Sequence, residues 1–177
     1  MRAILLSQLL ASVARSAEAV PDDRTAVFPR TEAGNFIFAV CQSFPGKITG
    51  FWSPAISDLK DIELALPALL TTKRPELLTW LNGTYEGATR WTWLRRQAIG
   101  VLIEDRPFLL ISYICEYPAE TRQKEKEVKA SMERMGLPYK AERLKAVPIA
   151  VTHGGMSYFR ALFDVSKRSF TSYEENQ

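Results

Sequence analysis

The chain has 177 residues, of which 46% are hydrophobic and 24% charged, and its 23 basic and 20 acidic side chains leave a formal net charge of +3. It is too apolar for a disordered chain, and 9 glycines with 10 prolines exclude collagen-like and low-complexity classes. So small a positive surplus does not point to nucleic acid or a membrane surface as partner, because phosphate binding requires uncompensated charge.

Met1-Arg2, a short apolar run from Ala3 to Val13, and Ala17-Glu18-Ala19 ahead of Pro21-Asp22-Asp23 fit a secretory signal. The favoured expectation is therefore export or a periplasmic location, with residues 1–19 removed and residues 20–177 forming a single α+β domain. The alternative is a native amphipathic helix, because Leu6, Leu9, Leu10, Val13 and Ala17 share one helical face. The run is shorter than the roughly 20 apolar residues a bilayer span requires, so no integral membrane segment is expected.

Residues 20–35 are polar and read as a loop. The apolar, aromatic run 36–43 reads as a strand, closed by the turn signal Pro45-Gly46. Ser53-Pro54 supplies an N-cap with proline at the first helical position. Ile56, Leu59, Ile62, Leu66 and Leu69 then recur at helical spacing, so a helix is expected over 54–70, with Pro67 kinking or shortening its last turn. Pro75 to Leu81 is a second short helix, ended by Asn82-Gly83.

After a loop over 83–87 the period changes. Residues 91–103 and 108–115 read as the strands of a hairpin about Glu104-Asp105-Arg106-Pro107. Residues 118–135 fit a helix with Val128, Met132 and Met135 on a thin apolar face, stopped by Gly136 and Pro138. Three short runs, 147–152, 156–163 and 169–173, joined by His153-Gly154-Gly155 and by Asp164 to Arg168, form an antiparallel meander. Helices and hairpins are segregated along the chain. That predicts an α+β fold, an antiparallel sheet of about five or six strands with two or three helices packed on one face.

Several of these features occur in a suggestive order. They are the Trp52-Ser53-Pro54 helix start, the strand Arg96-Gln97-Ala98-Ile99-Gly100 with its partner Leu109–Cys115, the closing Gly154-Gly155-Met156-Ser157-Tyr158-Phe159, and Asp164 with Phe170. The order resembles a functionally unassigned family of small, often exported bacterial proteins. The resemblance covers roughly residues 51–173 and implies an α+β fold and export, but no reaction. Members usually carry Asp before the Gly-Gly pair, where this chain has His153.

Alternate residues of a strand share a face, so Trp91, Trp93, Arg95 and Gln97 line one side of the expected strand, and Thr92, Leu94, Arg96 and Ala98 the other. Tryptophan and arginine are enriched at interface hot spots, which makes the first four the candidate binding residues. The competing reading packs the tryptophans under a helix while Arg95 reaches outward. Arg96 on the inner side then needs a carboxylate, for which Asp164 or a helix Glu can serve. His153 is a further candidate, as an imidazole beside open backbone N–H groups or as part of a plain turn.

Catalytic signals are weak. Cys41 and Cys115 stand in apolar runs and read as core thiols, able to bridge only in an exported chain. One histidine and no CxxC leave no zinc-ligand set, and neither a G-x-S-x-G elbow nor a phosphate loop occurs. No cofactor and no metal are implied. Asp58, Asp61, Glu63, Glu104 and Asp105 read as solvent-facing, and the sign-alternating run from Arg122 to Lys129 reads as a solvated helix face. By elimination the expected function is a non-enzymatic module that binds another protein, an exported or periplasmic inhibitor or immunity-type protein. The alternatives are a small hydrolase using His153 with a carboxylate or Cys115, and a structural envelope protein.

Overall fold

A computed structural model describes residues 24–40, 43–115, 126–127, 129–131, 133–136 and 158–175. Its centre is the hairpin of β5 (Leu94–Ile103) and β6 (Arg106–Cys115), paired from Leu94↔Cys115 to Ile103↔Arg106. The connection is tighter than the expected four residues. Only Glu104 and Asp105 form it, both with positive φ (50° and 63°), while Arg106 and Pro107 already belong to β6. Such left-handed pairs match the twist of a two-residue hairpin. The turn is tied down by Glu104 N–H to the Lys47 carbonyl and Asp105 N–H to Thr49 Oγ1, each 3.0 Å.

β7 (Tyr158–Asp164) pairs antiparallel with β6, and β8 (Ser169–Glu175) with β7. The other edge of β5 is shared. β1 (Thr25–Val27) lies parallel to Arg96–Ala98, and β2 (Ile48–Trp52) lies antiparallel to Gly100–Ile103. The main sheet therefore has six strands, as expected in number, but it is mixed rather than wholly antiparallel. A second sheet holds only β3 (Thr84–Tyr85) and β4 (Ala88–Thr89), inside the expected loop. Both β2 and β8 carry a register irregularity, at Ile48/Gly50 and opposite Leu162/Phe163. Bulges of this kind blunt edge-to-edge pairing.

The run expected as a strand at 36–43 is instead the helix α1 (Ala33–Val40). Phe36 is fully buried and Phe38 is 84% exposed, so residues two apart point to opposite sides, which a strand forbids. Phe36 and Ala33 bury one helical face, and Phe36 meets Phe28 at 5.2 Å. An apolar run this short does not separate a buried strand from a buried helix turn.

The long helix begins later and ends later than expected. A 3₁₀ turn at Ile56–Leu59 leads into α2 (Lys60–Lys73). Ser53 Oγ accepts from Arg30 N–H at 2.9 Å instead of capping, while Asp58 accepts the Ala55 N–H at 2.7 Å. Pro67 is accommodated in the interior of α2, its missing N–H withdrawing a donor from the Glu63 carbonyl one turn earlier. α3 (Pro75–Leu81) follows as expected. Helical backbone at 126–127, 129–131 and 133–134, with Gly136 at φ 68°, matches the later helix and its stop.

Two cores result. Ile62, Leu66 and Leu70 of α2 and Leu77 and Leu81 of α3 pack on Leu94, Ala98, Leu109, Ile111, Tyr113, Phe159, Ala161 and Phe163. α1 packs on the opposite side, with Ala33 and Phe36 against Ile99, Val101, Phe108, Leu110 and Leu162. The helices thus cover both sides of the sheet. The single-face arrangement expected above is corrected, because strand residues of both parities are apolar over much of the hairpin and each side needs a cover.

Candidate functional site

Strand alternation does not reach the two tryptophans. Arg90–Trp93 form a 3₁₀ turn, and β5 starts only at Leu94. Trp91 is 3% exposed and its Nε1–H donates to Asn82 Oδ1 at 2.9 Å. Trp93 is 6% exposed and lies between Trp80 (ring centroids 5.5 Å) and Tyr85 (5.2 Å), both edge to face. The guanidinium of Arg90 sits 5.1 Å over the Trp80 ring and donates to the Trp80 carbonyl at 3.3 Å. Such aromatic and cation–π contacts add to area burial.

Above Trp93 the β3–β4 hairpin turns through Glu86 (φ 49°) and Gly87 (φ 80°). Tyr85 on β3 is 40% exposed while its ring is seated on Trp93. The result is a rigid Trp80–Trp93–Tyr85 stack with Arg90 beside it and one ring at the surface. Sequence reading misses Tyr85, Trp80 and Arg90, although Glu86-Gly87 is a recognisable turn signal.

Arg95 and Gln97 go elsewhere. They lie on the α1 side of the sheet, where Gln97, Ser112, Arg160 and Glu174 are in register across β5 to β8. Gln97, Ser112 and Arg160 are buried, Arg160 donates to Glu174 at 3.3 Å, and the Ser112 hydroxyl has no hydrogen-bond partner among the described residues. Arg95, opposite Ile114, and Tyr158, beyond it, extend the polar zone by one row. The four residues assigned to one face are therefore divided: Trp91 joins the α2-side core and donates to Asn82, Trp93 joins the aromatic stack, and Arg95 and Gln97 join the polar zone on the α1 side. His153 and Cys41 lie outside the described residues, as do residues 1–19 and the run 147–152.

The α2 side holds a second polar row. Arg96 is buried, and its Nε and Nη2 meet Glu63 Oε1 and Oε2 at 2.8 and 2.9 Å, while Nη1 donates to Thr25 Oγ1 at 3.2 Å. A helix Glu thus serves Arg96, as one of the two expected options. Glu63 itself is corrected from solvent-facing to enclosed. Asp164, the other option, is buried against Arg106 at 2.5 Å and accepts the Lys167 N–H at 3.0 Å, closing the β7–β8 turn. Burial holds the Glu63 carboxyl above the usual carboxylate range despite Arg96. Burial, and then the Glu63 charge, push Tyr113 well above the ordinary phenol value. The Tyr113 hydroxyl finds no hydrogen-bond partner among the described residues, and its ring stacks on Phe159 at 4.5 Å.

Cys115 ends β6 as a buried free thiol, pushed up to about 12 by burial against a small opposing effect of Arg74. Arg74, between α2 and α3, pairs with Glu76 and with Glu175 of β8, and Tyr173 donates to Glu175. Asp61 pairs with Arg168. Among the described residues no group of three or more His, Cys, Asp or Glu is placed to hold a metal, and no helix is long and apolar enough to cross a membrane. Comparison with family models, curated proteins and solved structures returns no match.

Proposed function

We propose that the chain is a non-enzymatic protein-binding module, an exported inhibitor or immunity-type protein, whose contact point is the β3–β4 hairpin. The observation that carries this reading is Tyr85, 40% exposed yet fixed edge to face on the buried Trp93. A Tyr ring already ordered in the free protein loses little conformational entropy on binding. Tyr, Trp and Arg are also the residue types that dominate interface energetics. Trp93, one of the residues singled out from sequence, supports the ring from below rather than touching a partner. The resemblance of residues 51–173 to small exported bacterial proteins is the ground for placing the module outside the cytoplasm.

The hydrolase reading is weaker at its cysteine. A thiol held near 12 is almost wholly protonated at neutral pH, and the thiolate is the nucleophile. The binding reading is tested by capture from extracts of the source organism, with the unaltered chain and Tyr85→Ala as parallel baits. The unaltered chain should retain one protein in a fixed ratio that Tyr85→Ala loses while melting at the same temperature. Equal recovery by both baits would reject the hairpin as contact point.

A further inference from the structure

The chain contains three asparagines, Asn35, Asn82 and Asn176, and only Asn82 precedes a glycine. Gly83 has no side chain to crowd its backbone nitrogen and leaves the backbone unusually free. That is the context in which an asparagine side chain is most readily attacked from within the chain. Asn82 is exposed and closes α3 with helical torsions of φ −71° and ψ −10°.

Three contacts hold the pair in place. Trp91 Nε1–H donates to Asn82 Oδ1 at 2.9 Å, and the Gly83 N–H donates to the Trp80 carbonyl at 3.1 Å. The Gly83 carbonyl accepts from Arg90 N–H, also at 3.1 Å. Ring closure needs the Gly83 nitrogen to reach Asn82 Cγ. For that, Gly83 must release Trp80, Asn82 must leave its helical ψ, and the side chain must swing away from Trp91.

We propose that Asn82 is a site of spontaneous deamidation, restrained in the folded chain by Trp91 and Trp80 and released by local opening of the α3 terminus. The Gly83 nitrogen attacks Asn82 Cγ, the new C–N bond closes a succinimide, the Cγ–Nδ2 bond breaks, and the Gly83 amide proton leaves with the amide as ammonia. Water then adds to either imide carbonyl and opens the ring to aspartate or isoaspartate. Overall, water is consumed and ammonia released, with no oxidant or reductant. Aspartate still offers an oxygen to Trp91. Isoaspartate lengthens the main chain at the base of the β3–β4 hairpin and displaces it. The proposal does not depend on a binding role for Tyr85.

The test follows the full chain during prolonged warm incubation at mildly alkaline pH. Residue 82 is monitored by peptide-mapping mass spectrometry and by isoaspartyl methyltransferase labelling. The amide-to-acid mass gain should arise at Asn82 ahead of Asn35 and Asn176, and should form at least about tenfold faster in urea, where local opening is no longer limiting. Trp91→Phe keeps an aromatic ring and removes the N–H donor. It should speed the native reaction by roughly three- to tenfold, the worth of one hydrogen bond. Equal rates in the folded and unfolded chain, no product at Asn82 in urea, or a folded Trp91→Phe variant reacting no faster would each overturn the proposal. Should Trp91→Phe fail to fold, the folded-to-unfolded ratio of the unaltered chain decides.

Discussion

Arg96 of β5 and Glu63 of α2 face each other fork to fork inside the molecule, Nε to Oε1 at 2.8 Å and Nη2 to Oε2 at 2.9 Å. This pair fixes how α2 is rotated and shifted along the sheet. Apolar contacts alone would tolerate small slips, whereas a charge-assisted hydrogen bond from Nη2 with a second close ion contact at Nε does not. Thr25 on β1 shares the same guanidinium, so the short parallel strand, the central hairpin and the long helix meet at one group.

Cutting Glu63 back to alanine leaves a buried guanidinium with the Thr25 hydroxyl as its remaining partner among the described residues. Glu63→Ala should therefore cost about 3 kcal/mol, in the range for breaking a buried pair. Glu63→Gln retains an acceptor oxygen and should cost much less. Urea unfolding of both variants checks the contrast. Equal losses would contradict this, because glutamine keeps the packing and an acceptor and lacks only the charge.

The pH dependence has a defined sign. Burial raises the Glu63 carboxyl above its unfolded value, against the pull of Arg96. Its contribution is then fully present below the unfolded value and is lost as pH rises through the folded one. The stability of the unaltered chain minus that of Glu63→Gln should increase on acidification from neutral to about pH 4. Melts of both proteins across that range measure the difference. A decrease would show that Arg96 outweighs desolvation.

Trp52 on β2 lies over Gly100 on β5, directly opposite it, and a Cβ on Gly100 would fall inside 3.0 Å of the indole. The Trp52 Nε1–H also reaches the Phe108 carbonyl at 3.3 Å, which limits how far the ring can retreat. Gly100→Ala should cost roughly 1–3 kcal/mol by overpacking. The same change should cost clearly less in a Trp52→Leu background. A double-mutant cycle by denaturant unfolding reads this coupling, and additive losses would contradict it.

Cys115 should be inert while the chain is folded. Its buried thiol is pushed up to about 12, so both access and ionisation oppose alkylation. With iodoacetamide at mildly alkaline pH, Cys115 should be labelled only as fast as the chain opens, and rapidly in urea. Labelling of the native chain at the unfolded rate would place the thiol at the surface.

The central hairpin is legible in sequence because long β-rich runs flank a compact polar turn, but its register is not, because the two-residue turn at Glu104-Asp105 sets it and apolar residues on both faces do not. The Glu63 contact is half legible. Glu63, Leu66 and Leu70 stand at helical i, i+3 and i+7 positions, so the period places Glu63 on the buried stripe. Its charge makes the same residue look solvent-facing, and only the arginine opposite reverses that reading. Thr25-Ala26-Val27 is too short for any periodicity, and its strand forms because β5 presents an edge with Arg96 on it. Trp91 and Trp93 carry strong strand propensity, yet they are drawn into a 3₁₀ turn by partners on the preceding helix end and hairpin, Asn82 on one side and Trp80 with Tyr85 on the other. Tertiary contacts override local preference there, and the same override shifts the candidate contact from the tryptophans to Tyr85.

The most direct test of the binding account is the equilibrium affinity of the captured partner, measured by titration calorimetry for the unaltered chain and for Tyr85→Ala. Hot-spot residues contribute at least about 2 kcal/mol, so the variant should bind roughly 30-fold or more weakly with its melting temperature unchanged. An affinity within about twofold of the unaltered chain, too small a change for a hot spot, would contradict the assignment of the β3–β4 hairpin as the contact point.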